Sequence, residues 1–288
     1  MNKVILLDKT GGLSSQQAVS LVKRRLGIKK AGHTGTLDPL ATGLLIVCTG
    51  EATKACRFLT DLPKKYEATI KFGERTDTFD ACGTVTATGS ASVEPNALEE
   101  VLARFLGKTR QLPPMYSALK MAGRPLYELA RQGIEVAREE REVEISELQL
   151  LGYEPPCARL LVACSKGTYI RTLADDIGTN LGTFAHVTSL RRTAIGRFDE
   201  KDSVRPEELG PEGPGLKASA FLEIDEALGF LEEVTIEGQE LKRIQNGAPF
   251  RARIPLSGSI RIKEPNGKLL GIGEAFRGLV KIERLLHL

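Results

Sequence analysis

Four consecutive apolar residues, Val4, Ile5, Leu6 and Leu7, read as a short buried strand that Thr10-Gly11-Gly12 ends. Ala18, Leu21, Val22 and Leu26 then recur at helical spacing, with Ser14 or Ser15 as the cap and Gly27 as the stop. An apolar run at 44–48 predicts a second buried strand, and 49–60 a helix. Tyr66, Ala68, Ile70 and Phe72 alternate with Glu67, Thr69 and Lys71, the period of a half-exposed strand, and Val85 and Ala87 predict its hairpin partner. A helix fits 95–106, with Pro95 near its first turn. Strands at 142–151, 159–165 and 184–195 surround a helix that carries Ile170, Leu173, Ala174, Ile177 and Leu181 on one side and stops at Gly182.

This order is mixed and not a regular βαβ alternation. It predicts an α+β fold with a large mixed, mainly antiparallel sheet. Residues 111–141 carry Pro113-Pro114, a short helix at about 125–132 and a run of Arg and Glu, and read as an insertion over one face. Residues 199–220 are acidic and rich in Pro and Gly, as a functional loop or linker would be. Beyond 233 come short strand signals at 249–254, 258–262 and 269–274, the last after a Pro265-Asn266-Gly267 turn. The division expected is 1–232 for the main domain and 233–288 for a small β-rich one.

Composition narrows the chemistry. With 41% hydrophobic and 27% charged residues in 288, disorder and collagen are excluded. No apolar run approaches the roughly 20 residues of a membrane span. The run at 4–7 is also too short for a signal-peptide core of about 7–15. A soluble, cytoplasmic chain is expected. The five Cys are scattered without a C-x-x-C pair and the three His are dispersed, so neither a disulfide framework nor a metal is expected. Net charge is only +3 but uneven. Residues 1–60 hold nine basic against three acidic residues, 199–233 three against eleven, and 241–288 ten against three. Such a pattern suits a polyanion touched at two places, or simply solvated charged faces.

The sharpest local signal is Gly32-His33-Thr34-Gly35-Thr36-Leu37-Asp38-Pro39-Leu40-Ala41-Thr42-Gly43. Asp38 is the only acid between Asp8 and Glu51, near Lys29, Lys30 and His33. Ahead of Pro39 it is either a turn-opening residue bonded to its own backbone or a reactive carboxylate, and spacing leaves both open. Arg171 has Asp175 four residues on, which offers an ordinary helix-surface pair.

The string closely resembles the signature of the TruB family, the tRNA pseudouridine-55 synthases. Further segments fit in order: Asp8-Lys9 with Gly12-Leu13-Ser14-Ser15; Lys65-Tyr66-Glu67 running to Gly73-Glu74-Arg75-Thr76-Asp77-Thr78 and Asp80; Pro113-Pro114-Met115-Tyr116-Ser117-Ala118-Leu119-Lys120; Gly167-Thr168-Tyr169-Ile170-Arg171-Thr172-Leu173-Ala174-Asp175-Asp176; and Leu190-Arg191-Arg192-Thr193. The resemblance is close over residues 3–195 and looser in the basic tail. Thr10 stands where the family usually has Pro, and Phe79 and Cys82 depart beside Asp80.

The resemblance implies a pseudouridine synthase fold with a PUA-like terminal domain. It implies isomerisation of uridine-55 in the tRNA T loop, with no redox cofactor or energy source. Asp38 would be the essential carboxylate, acting as nucleophile or as base toward the ribose, and ionised at neutral pH. Arg171 would pair with it and lower its pKa. Tyr66 would stack on the base and assist proton loss from carbon 5. Tyr169 and Leu190 would contact the flipped uridine, and His33 would help extrude it. Residues 111–141 would be a thumb-like insertion whose Lys120, Arg124, Arg131 and Arg138 meet phosphates. That insertion points to the stand-alone bacterial type, with no obligatory protein partner, and a monomer is expected because the sequence shows no heptad or self-complementary apolar stripe. The rivals are a guide-RNA-dependent synthase and an RNA-binding protein without catalysis. A second role as a tRNA folding helper is compatible with the first.

Overall fold

A computed structural model describes residues 1–121, 123–210, 217–252 and 255–288. β1 (Val4–Lys9) is followed by α1 (Ser15–Arg25), β2 (Ala31–His33) and β3 (Thr42–Thr49). α2 (Cys56–Thr60) leads into β4 (Lys64–Phe72) and the small hairpin of β5 (Glu74–Thr76) and β6 (Val85–Thr88). Next come α3 (Pro95–Arg104), β7 (Gly107–Gln111), β8 (Lys120–Met121), β9 (Arg124–Pro125) and α4 (Leu126–Ala130). β10 (Arg141–Glu154), β11 (Cys157–Cys164), α5 (Ile170–Asn180) and β12 (Ala185–Ile195) follow. β13 (Phe198–Asp199), β14 (Phe221–Leu222) and α6 (Ile224–Ala227) close the first unit.

The main sheet runs β14-β1-β3-β12-β4-β11-β10-β7, with β2 added to β3 and β13 to β12. Every pairing is antiparallel except that of β3 with β12. This is the expected α+β arrangement. Ser14 caps α1 in a capping box with Gln17, and Gly27, at φ 63°, follows its end. In β4 the alternation holds: Tyr66, Ala68, Ile70 and Phe72 are buried while Glu67 is exposed. Its hairpin partner is not the stretch with Val85 and Ala87. β6 pairs with β5, and β4 lies between β11 and β12. A strand whose inner face is apolar from Ala68 to Phe72 is used in the sheet centre, and the weak pair 85/87 forms a two-stranded outlier instead.

The expected loop before residue 44 also contains structure, because β2 adds to β3, which itself begins at Thr42. The expected helix at 49–60 splits into a tight 3-10 segment, Gly50–Ala55, and α2. The acidic stretch after 199 is less free than a linker. Val204 bridges to Leu7, Leu209 is buried, and β14 pairs with the edge of β1. Its Pro/Gly centre, residues 211–216, lies outside the described residues. The insertion leaves the sheet at Gln111 and re-enters at Arg141, and these two residues face each other across β7 and β10.

The parallel seam between β3 and β12 is unusually close at Gly43 (φ 92°), which sits opposite Arg192. A Cβ there would fall 2.4 Å from the Arg192 carbonyl oxygen and 2.9 Å from its nitrogen. Both neighbours are sheet backbone and cannot swing aside. Gly43→Ala is therefore expected to destabilise the protein by about 3 kcal/mol, from overlap and a left-handed φ together. Urea unfolding measures this, and a wild-type midpoint would show that the seam relaxes.

The terminal unit holds β15 (Glu232–Thr235), α7 (Gly238–Gln245), β16 (Phe250–Arg251), β17 (Gly258–Lys263), β18 (Leu269–Phe276) and β19 (Leu279–Leu285). Its sheet order is β15-β17-β18-β19-β16 around a core that includes Ile236, Ile244, Phe250, Ile260, Ile262 and Val280. The strand expected at 249–254 covers Phe250 and Arg251, and Arg253 and Ile254 lie outside the described residues. Leu269, Ile272 and Leu286 are buried with the main core, so the two units are joined by apolar packing. Arg261 and Lys263 also bridge to Asp225 and Glu233.

Candidate active site

Asp38 sits in the turn between β2 and β3, and that turn is strapped from several sides. Ser15, at the start of α1, uses one hydroxyl twice: it donates to the Leu37 carbonyl (3.0 Å) and accepts from the Leu37 N–H (2.7 Å). The Gly12 N–H donates to the Pro39 carbonyl at 2.8 Å. Lys9, fully buried, donates to the carbonyls of Leu13 (2.7 Å), Thr10 (3.0 Å) and Pro39 (3.4 Å). Burial lowers the Lys9 pKa to about 8, against the opposite pull of Asp38.

Asp38 opens the turn through its main chain and not through a side-chain bond to its own backbone. Its carbonyl accepts from the Ala41 N–H (3.0 Å), which makes the turn. Its side chain is reserved for Arg171, whose Nε donates to Oδ2 (2.8 Å) and Nη2 to Oδ1 (3.0 Å). Arg171 is 3% exposed in the first turn of α5, and its other donors bind the carbonyls of Thr78 (2.9 Å) and Tyr116 (2.8 Å). Asp175 does not take Arg171. It is bound instead by Arg75, at 2.5 and 3.0 Å.

Asp80 stands 3.7 Å from Arg171, fixed by the Thr78 hydroxyl (2.7 Å) and the Cys82 N–H (2.9 Å). It changes the electrostatics. The guanidinium was expected to lower the Asp38 pKa, yet the net direction is upward. Burial is the largest cause and Asp80 adds to it, while Arg171 and Lys9 pull down. A desolvated carboxylate beside a second one is not fully repaid by a single fork.

A cavity of about 320 Å³ opens over this pair. Its walls include Asp38, Tyr66, Tyr169, Arg171 and Leu190, so five of the six residues singled out by sequence meet in one place. Tyr66 comes from β4, Leu190 from β12 and Tyr169 from the turn entering α5. His33 is the sixth and does not line the cavity. It ends β2, where Nδ1 accepts the Gly35 N–H at 3.4 Å, and burial, then Arg192, lowers its pKa toward a neutral ring.

Three further wall residues carry no individual signal in the sequence. Arg192 lies in the Leu190-Arg191-Arg192-Thr193 segment and is 1% exposed. Lys64 donates to the carbonyls of Thr60 and Leu62, and burial lowers its pKa to about 8. Arg141, at the foot of the insertion, lies over the Tyr169 ring, 4.7 Å from its centroid, and donates to the Gly167 carbonyl. In the insertion, Arg138 is tied to the Pro113 carbonyl (3.0 Å) and to Glu135, and Arg131 covers Tyr127, so these two cations hold the insertion's own shape.

Known proteins share this architecture. The family described as TruB family pseudouridylate synthase (N terminal domain) matches residues 23–170. Two further families match 171–212, tRNA pseudouridylate synthase B C-terminal domain, and 233–286, Pseudouridine synthase II TruB, C-terminal. A tRNA pseudouridine synthase B of Dechloromonas aromatica is 46% identical over 286 residues, covering 99% of this chain and 95% of that one. One of Pseudomonas aeruginosa is 46% identical over 277 residues, covering 94% and 91%. Among solved structures, a Cbf5-Nop10-Gar1 complex matches with TM-score 0.76 at 25% identity, over 98% of this chain and 84% of that one. An H/ACA RNP bound to a substrate RNA containing 2'-deoxyuridine matches with TM-score 0.75 at 23% identity, over 99% and 85%, a likeness of fold. The chain belongs to the TruB family of pseudouridylate synthases, which are isomerases.

Proposed function

We propose that this chain converts uridine-55 in the T loop of tRNA to pseudouridine, with Asp38 as the essential carboxylate and the target base flipped into the cavity. The observation that carries the reading is the two-point Asp38–Arg171 pair in the wall of a cavity that Tyr66, Tyr169 and Leu190 also line. Arg171 donates one bond to each oxygen, so each keeps a lone pair for chemistry. Those lone pairs serve either attack on the nucleoside or removal of a ribose proton. The raised pKa puts the acid limb of activity above the range of an ordinary aspartate, if the anion is the working form.

Tyr66 stacks on the base, Tyr169 and Leu190 contact it, and His33 helps to extrude it. A base inside the T loop is out of reach until it leaves its stack. Recognition rests on the shape of the loop and its unstacked bases, because A-form grooves display little base information. Residues 1–232 do the chemistry, the insertion at 111–141 closes on the RNA, and the PUA-like unit 233–288 reaches the acceptor stem. The chain works in the cytoplasm as a monomer without a protein partner. Its grip on RNA also supports a second role as a tRNA folding helper.

The test is to treat whole tRNA and a bare T-arm stem-loop with the purified chain and map pseudouridine by nucleotide. The expected result is one modified uridine, at position 55, in both RNAs. Modification only with added partner proteins, or at another nucleotide, would overturn the reading.

A further inference from the structure

Arg192 is a buried cation without a matching anion. It is 1% exposed, and no carboxylate bridges to it among the described residues. Its Nε donates to the Leu44 carbonyl (2.7 Å) and Nη2 to the Gly35 carbonyl (3.1 Å), which are neutral acceptors. Burying a charge this way is costly. Nearby groups worsen the cost, since Lys9, Lys64 and His33 each have their pKa pushed down by Arg192. The Asp38 carboxylate is already taken by Arg171.

The backbone nonetheless fixes Arg192 tightly. On one side it faces Gly43, where no side chain fits, and on the other it is the direct cross-strand partner of Tyr66. Both side chains reach the same cavity. Burial pushes the Tyr66 phenol up, and the Arg192 charge offsets part of that rise while the net direction stays upward.

We propose that Arg192 is a positioning residue that holds Tyr66 as the base for the carbon-5 proton. This rests on the function proposed above. After the ribose is rejoined, carbon 5 carries both the sugar and its hydrogen. The Tyr66 phenolate takes that proton, and the C5–H electron pair forms the C5=C6 double bond. The C6=N1 pair moves to N1, which receives a proton in turn. The net change is transfer of one proton from carbon 5 to N1, with no oxidant or co-reactant. A cation beside the phenolate stabilises the anion at the moment it is needed, and a neutral residue would not.

The test uses the full chain and a T-arm stem-loop carrying 5-deuterouridine or ordinary uridine at the target position. Arg192→Lys keeps a charge but cannot bind both Leu44 and Gly35 and so no longer fixes that charge beside Tyr66, and it is expected to slow turnover about 10- to 100-fold. The slowed reaction should show a larger deuterium isotope effect than wild type, because proton removal from carbon 5 has become limiting. In a Tyr66→Phe background the same change should cost nothing further. Should Arg192→Lys not fold, citrulline in place of Arg192 keeps the N–H donors to Leu44 and Gly35 and removes only the charge, and the same rise is expected. An unchanged isotope effect, or a full additional loss in the Tyr66→Phe background, would overturn the proposal. Either result, with uridine-55 still modified by wild type, would leave the function itself standing.

Discussion

Asp38→Asn is expected to bind tRNA as wild type does and to form no pseudouridine. Asn keeps the shape and one acceptor for the Arg171 fork, but it supplies neither a nucleophile nor a base. The loss expected for removing such a group is about 10⁴-fold or more. Folding should not suffer. Burial raises the Asp38 pKa in the folded chain, so the protonated carboxyl stabilises the fold below the unfolded value of 3.8, and this stability is lost as pH rises through the raised value. At neutral pH the ionised group is therefore a cost, but Asn also leaves the buried Arg171 without its anion, so the two effects oppose and the melting temperature is expected to move little. Tritium release from carbon 5, filter binding and thermal melting read the three parts. Near-normal turnover would remove Asp38 from the chemistry. A collapse of binding would make it a structural residue.

Arg171→Ala should damage both fold and turnover. It removes four donated bonds at once and strands Asp38 beside Asp80 with no guanidinium between them. Breaking a buried pair in this way costs about 3–5 kcal/mol. The bonds to Thr78 and Tyr116 also tie the β5–β6 connection and the insertion to the Asp38 turn, so the wall that the insertion gives the cavity loses its alignment. Misplacement by about 1 Å costs roughly 100-fold in rate. Arg171→Lys should recover part of the stability and little of the rate, since one ammonium cannot span both oxygens. Urea unfolding and single-turnover kinetics separate the effects, and a fully active Arg171→Lys would mean that charge alone suffices.

Much of this site was legible because it depends on local chemistry that sequence displays. The Gly32–Gly43 string announced a tight turn around a lone acid, and the order of segments brought Tyr66, Tyr169, Arg171 and Leu190 with it. The helix of α5 and the alternation of β4 were plain from periodicity. What stayed hidden was set by pairing across distance. Nothing local tells that Val85 and Ala87 turn to Glu74–Thr76 and leave β4 to stronger neighbours. Nothing local assigns Asp175 to Arg75, a residue 100 positions away, and so frees Arg171. The upward direction at Asp38 depends on depth and on Asp80, which spacing does not report. Arg192 is legible only as part of the Leu190–Thr193 segment, because burial of a cation is a tertiary fact.

The facing of Gln111 and Arg141 across β7 and β10 makes the excursion between them a detachable attachment. The sheet is already closed at that rung, so its stability hardly depends on how far the chain wanders before returning. Doubling the length of such a loop costs only about 0.6 kcal/mol, less than the roughly 0.8 kcal/mol of one buried methylene. The length of the insertion and the strength of the scaffold can therefore be tuned separately, and a graft of quite different length at this point should leave the platform beneath it standing.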